Sequence, residues 1–435
     1  MSQGKRVWFE EAGGVLDPGL VEELRRLRKT DPIDQTLIPV IVSLQDNIKD
    51  EHKNHLLQTC QKDPHSSIEG QLDIIGAVHG HLHPEMIRQI KDYDAVNRIF
   101  YDRKVTALLD VATREIGAVD VQKNLGYTGK GVTIAVIDTG IYPHDDLTKP
   151  NNRIIAFKDF INNQEEPYDD QGHGTHCSGD AAGNGNRSEG RFIGPASEAS
   201  LVGVKVLDKD GSGQLSTIIE AISWCIQQKD DLNIRVISMS LGAPAFESYR
   251  DDPLAQAVEK AWHNGITVCA AAGNSGPYPF TISTPGIDPL IITVGAMDDE
   301  NTLTREDDEV ARYSSRGPTI DLRMKPDIYS PGTDITSLTV PGSPLEKELP
   351  EQLVGEYYIR LSGTSMATPI TAGVVALMLE ANPYLSPNDV KSILVTTAQP
   401  LSGVQPGYIQ AKAAVEMAKS YPRYQEALIG AKSVH

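Results

Sequence analysis

The sequence predicts an α/β protein: a doubly wound, mostly parallel sheet with helices on both faces, preceded by a small α+β unit of the ferredoxin-like kind. Three observations carry that expectation. Past about residue 115, apolar runs recur with helical segments between them. Those runs are almost uninterrupted, as strands buried on both faces should be. Before residue 110 the candidates are shorter and follow the order β-α-β-α-β.

The elements follow along the chain. Residues 1–35 are polar, with one helical candidate at Gly19–Lys29. Thr36–Leu44 is β-branched and strand-like, and Asn47–Cys60 spaces its apolar residues as a helix does. Asp73–His83 alternates and reads as a strand, Pro84–Asp92 as a short helix with Pro in its first turn, and Asp94–Leu109 as strand again. In the larger unit, strands are expected at 132–138, 200–207, 234–241, 266–273 and 289–297. Leu215–Lys229 and Pro253–Asn264 are helices between them. The acidic run 298–309 and the Pro-, Gly- and charge-rich Pro341–Glu356 read as solvated loops. The expected domains are 1–110 and 111–420, with a tail at 421–435.

Composition bounds the partners. The chain of 435 residues is 40% hydrophobic and 23% charged, ordinary globular values. Its 40 Lys plus Arg against 59 Asp plus Glu give a net charge of −19. That argues against nucleic acid and anionic membranes, both of which require a basic surface. Residues 1–110 hold 14 basic and 18 acidic side chains, a net of −4, which leaves −15 on the rest. No stretch of uninterrupted apolar residues is long enough to span a bilayer. Glu10 and Glu11 arrive before any apolar leader forms, so no export signal is expected. Cys60, Cys177, Cys225 and Cys269 show no CxxC pair and no zinc-like spacing, which predicts reduced thiols and a cytoplasmic location.

Four segments carry chemistry. Asp138 ends the strand VTIAVID and stands where sites form in open α/β sheets. Alone it reads equally as a structural cap, and ID-TGIYP lacks the Gly-rich fingerprint of a dinucleotide fold. In DQGHGTHCSG, His173 sits between two glycines that let backbone crowd close. His173 and His176 invite a metal reading, but HGTH lacks the spacing and the Glu of HExxH. Ser365, in LSGTSMATP, stands where a loop enters a long apolar helix whose free N–H groups suit an oxyanion. Pro369 is expected in that helix's first turn. Asn274, in AAAGNSG, is either a turn residue or an amide donor to a developing oxyanion.

Together AVIDTGI (135–141), GHGTHCSG (172–179), AAAGNSG (270–276) and SGTSMATP (362–369) resemble the four signature segments of the subtilisin-like serine peptidases. The resemblance spans roughly 115–420, and the order Asp, His, Ser fits it. It implies a serine endopeptidase of broad specificity acting on protein and peptide substrates. Ser365 would be the nucleophile, His173 the general base and Asp138 its orienting partner. Asn274 and the Ser365 N–H would hold the oxyanion. It further implies that substrate pairs as a strand between Gly211, Ser212, Gly213 and their neighbours on one side and Ser240, Leu241, Gly242 on the other. Ala272 and Gly273 would lie in the S1 wall. The small N-terminal unit would be an inhibitory prodomain, ending in a strand at about 101–109 with a cleavage point near 104–114. No cofactor is needed for the chemistry. Structural calcium would use Asp146, although the usual ligand loop here carries Arg187 and Arg191.

Three further patterns need weighing. DKDGSG (208–213) imitates an EF-hand, but its chelating Glu would be misplaced. His79, His81 and His83, at alternate positions, suit a metal, a pH response or a solvated face. Cys177, next to both histidines, reads as a small buried side chain.

Overall fold

The computed structural model describes residues 8–9, 14–30, 36–45, 50–60, 63, 66–102, 104–107, 116–299, 305, 308–401 and 404–422. Contacts divide the chain into two compact units: 1–104 with 214–220, and 105–213 with 221–435. The tail beyond residue 422, most of the acidic run 298–309 and the residues just after 107, where cleavage is expected, lie outside the described residues.

In the smaller unit, helices Pro18–Thr30, Asp50–Cys60 and Pro84–Ile90 accompany an antiparallel sheet. Its strand order is Ser67–Leu72, Ala77–Leu82, Ile38–Leu44, Val96–Tyr101. The predicted single strand over Asp73–His83 is corrected here. A 3-10 turn at Asp73–Ile75, closed by Gly76 in the left-handed region, makes a hairpin of 67–72 and 77–82. The order is therefore β-α-β-β-α-β after an opening helix. SIEGQL was illegible as a strand because Gly70 interrupts its alternation. Leu20, Leu24, Ile38, Val40, Ile87 and Ile99 are among the residues that fill the core between helices and sheet.

In the larger unit, every pairing in the central run is parallel. The strands lie in the order Ile154–Asp159, Ser200–Lys205, Thr133–Asp138, Ile234–Met239, Thr267–Ala271, Ile292–Asp298, Ile328–Pro331, Val404–Tyr408. From Thr133–Asp138 the chain goes to the edge strand Ile154–Asp159, returns inward through Ser200–Lys205, and then crosses to the other side of its starting strand. The switch point lies between Thr133–Asp138 and Ile234–Met239, where α/β sheets open a crevice. Strands at 154–159, 328–331 and 358–361 went unpredicted. IIAFKD ends in charge, and the other two are only four residues long. Pro341–Glu356, expected as a loop, holds a helix at Pro344–Glu348 and a strand at Leu353–Val354.

Among the described residues one helix, Thr364–Ala381, is long and apolar enough to cross a membrane, but 89% of it is buried in the molecule. It is the core helix of this unit. Pro369 lies in its second turn, not its first as expected. Lacking an N–H, it leaves the Ser365 carbonyl without an i+4 partner.

Candidate active site

Asp138 is the last residue of its strand, and His173 is the first residue of helix His173–Ala182. Both are fully buried. His173 Nδ1 meets Asp138 Oδ1 at 2.7 Å, and the Thr139 N–H donates to the same oxygen at 2.7 Å. Burial alone would push the His173 imidazole down. The Asp138 charge and hydrogen bond outweigh burial and hold His173 well above the ordinary histidine range.

Ser365 is the second residue of its helix and is also buried. Its hydroxyl donates to the Ser240 carbonyl at 3.3 Å. The carbonyl that Pro369 frees is taken up from outside the helix. Ser240 Oγ donates to it at 2.6 Å and Cys177 Sγ lies at 3.6 Å. Cys177 Sγ also stands 3.9 and 3.8 Å from the two ring nitrogens of His173. The thiol therefore bridges the His173 and Ser365 segments. Burial pushes it up to about 12, so it stays protonated.

Asn274 follows strand Thr267–Ala271 and is half-buried. Its Oδ1 accepts from both the Thr364 N–H and the Thr364 hydroxyl, each at 3.0 Å. With the oxygen so engaged, the amide presents Nδ2–H beside the N-terminus of the Ser365 helix.

The expected substrate segments are also brought together. Ser212–Gln214 and Leu241–Pro244 belong to one small sheet, in the order Ser283–Thr284, Leu241–Pro244, Lys104–Ala107, Ser212–Gln214. The 104–107 strand pairs antiparallel with Leu241–Gly242, Ala107 facing Leu241 and Thr106 facing Gly242. Gly211 sits in the left-handed region at φ 72°, in the turn that opens strand 212–214. Ser240 serves through its side chain as well, as the clamp on Ser365. Ala272 and Gly273 are buried, and Gly273 N donates to Thr364 Oγ1 at 3.2 Å.

Several supporting residues escaped the sequence reading. Asp169 is a buried hub that accepts from Thr139 Oγ1, the Gln171, Gly172 and Thr175 N–H groups, and Thr175 Oγ1. Gln171 Oε1 accepts from the His173 N–H at 2.8 Å. Lys205, fully buried, donates to Thr139 O, Leu207 O and Asp170 Oδ1. Its signal was a lone charge inside the apolar strand LVGVKVL.

The weighed alternatives resolve on geometry. His176 engages Asp180 at 2.9 Å and Ile359 O at 3.3 Å, a packed hydrogen-bonding role. Asp208 Oδ1 accepts from the Asp210 and Ser212 N–H groups, closing a turn. His79, His81 and His83 each face a different carboxylate: Glu220 at 2.8 Å, Glu69 at 2.7 Å and Asp63 at 3.8 Å. The expected calcium ligand Asp146 has both side-chain oxygens occupied by protein donors, the Arg187 N–H and the Tyr358 hydroxyl. It does not fit a divalent ion.

Known proteins resemble this chain over most of its length. The Peptidase S8 model of the subtilase family matches residues 129–419. The chain is 45% identical over 378 residues to serine protease AprX of Bacillus subtilis (strain 168), covering 85% of each. It is 38% identical over 276 residues to subtilisin E of the same organism, covering 63% of this chain and 62% of that one. The crystal structure of fervidolysin from Fervidobacterium pennivorans, a keratinolytic enzyme related to subtilisin, superposes with a TM-score of 0.67 at 20% identity. It covers 88% of this chain and 61% of that one, a likeness of fold. The molecule is thus a serine endopeptidase of subtilisin-like fold. The chain belongs to the subtilase family.

Proposed function

We propose that Asp138, His173 and Ser365 form the catalytic triad, with Asn274 as side-chain oxyanion donor. The observation that carries this reading is the buried His173–Asp138 hydrogen bond of 2.7 Å, set beside Ser365 by the shared thiol of Cys177. In the reaction Ser365 Oγ attacks the peptide carbonyl while His173 takes its proton. The imidazolium, stabilised by Asp138, returns that proton to the leaving amine. Water then repeats the sequence on the acyl-enzyme. The Asn274 amide and the Ser365 N–H receive the tetrahedral oxyanion.

Substrate pairs as an extended strand with 212–214 and 241–244, a main-chain mode that suits broad specificity. The residues before about 110 act as an inhibitory prodomain. This is supported by strand Lys104–Ala107, which takes the place between those two edges. The four cysteines, buried and unbonded, support a cytoplasmic enzyme. Fractionation with an antibody would test that location, and enrichment outside the cell would overturn it. A serine-directed fluorophosphonate tests the chemistry. Ser365 should be labelled once the N-terminal unit is removed, and no labelling there would refute the triad.

A further inference from the structure

Two oxygen-lined places in the larger unit are filled by its own side-chain cations. The first surrounds Asp146. Its Oδ1 accepts from the Arg187 N–H at 2.8 Å and its Oδ2 from the Tyr358 hydroxyl at 2.8 Å. Its carbonyl accepts from the Arg153 guanidinium at 2.5 Å and from the Asn184 N–H at 3.2 Å. The Arg187 guanidinium pairs with Asp145 and stacks over the Tyr357 ring, 4.4 Å from its centroid. Lys149 holds Asp145 from the other side at 2.9 Å. A calcium ion takes about six to eight oxygen ligands at roughly 2.3–2.6 Å. Here N–H and O–H donors point at those oxygens, and two guanidinium groups repel a second cation.

The second place lies under helix Pro387–Thr397. Lys391 Nζ donates to Pro289 O at 2.9 Å, Leu290 O at 3.1 Å and Ile291 O at 2.8 Å, and pairs with Asp327 Oδ1 at 2.8 Å. The other Asp327 oxygen receives the buried Lys325 at 2.6 Å. Three carbonyls and a carboxylate oxygen converging on one point are the donors a hard cation takes. An ammonium stands there instead.

We infer that this unit supplies its own cations. Arg187 locks the 183–194 loop against Asp145 and Asp146, and Lys391 fills the 289–291 carbonyl cage, so these two places draw no stability from bound metal. The inference concerns stability and is independent of the proposed triad.

Melting the full chain carrying Ser365→Ala, with a broad serine-protease inhibitor present to prevent digestion, tests it. The midpoint should be the same in EDTA and in millimolar calcium chloride. A calcium-dependent rise that Asp146→Asn abolishes would overturn the assignment. Arg187→Ala should lower the midpoint in EDTA by about 2–4 °C, a loss of order one cap or ion pair, and Arg187→Lys should lower it less. An unchanged midpoint for Arg187→Ala refutes its locking role. Lys391→Met should melt lower in choline chloride and recover in potassium or calcium chloride at equal ionic strength, whereas the parent should not respond. Equal responses of parent and variant would overturn the cage. Should Lys391→Met fail to fold, Lys391→Gln, whose amide still meets a carbonyl, carries the same comparison.

Discussion

Thr364 orients the Asn274 amide by taking its oxygen twice, which leaves the nitrogen to donate. Asn274→Ala should therefore keep the fold and lower kcat by about 100–1,000-fold, the magnitude that goes with the oxyanion-hole Asn of subtilisin itself. Steady-state kinetics decides, and unchanged turnover removes Asn274 from the mechanism. The His173 environment sets a pH dependence. As the proposed base, His173 must be neutral to act, and Asp138 holds its pKa above the ordinary histidine value. Activity should thus rise with pH through a limb displaced to the alkaline side, and Asp138→Asn should move that limb to lower pH while reducing kcat. The pH profile of kcat/KM reads both effects. At this scale the sequence was most legible for residues whose neighbours form short motifs: Asp138, His173, Asn274 and Ser365 were all singled out from their own segments. Asp169 and Lys205 were not, because a hub acquires its meaning from partners that the fold brings from several segments.

Helix His173–Ala182 must lie against the end of the Asp138 strand for the 2.7 Å bond to form. Gly174 permits that approach. A Cβ there would run into the Gly140 carbonyl and come within 3.1 Å of the Asp138 Cβ. Gly174→Ala should push the helix away and cut kcat/KM severely, with His173 no longer hydrogen-bonded to Asp138. A variant with parental kinetics would show that the helix can shift without cost. The long parallel strands were readable because burial on both faces leaves a continuous apolar run. Hairpin strand 67–72 and edge strand 154–159 were not, since Gly70 in the one and the closing Lys158 and Asp159 in the other dilute their pattern. Pro369 shows the opposite limit: its residue type was plain, but its consequence depended on Ser240 and Cys177 arriving at the freed carbonyl.

Charge acts on the whole molecule. The net −19 should favour basic over acidic peptide substrates at low ionic strength, a preference that salt erases. Comparing kcat/KM for a matched pair of peptides in low and high salt measures it, and a salt-independent ratio would exclude long-range steering. Strand Lys104–Ala107, between Leu241–Pro244 and Ser212–Gln214, has a different consequence at this scale. On the proposed prodomain reading, that strand is, while the chain is continuous, a tethered ligand whose effective concentration is on the order of millimolar. One peptide-bond cleavage after it converts the same contact into an encounter between two molecules, ruled by total protein concentration. A cut preparation should therefore gain specific activity simply on dilution, whereas an uncut Ser365→Ala chain should keep the strand in place however dilute it becomes.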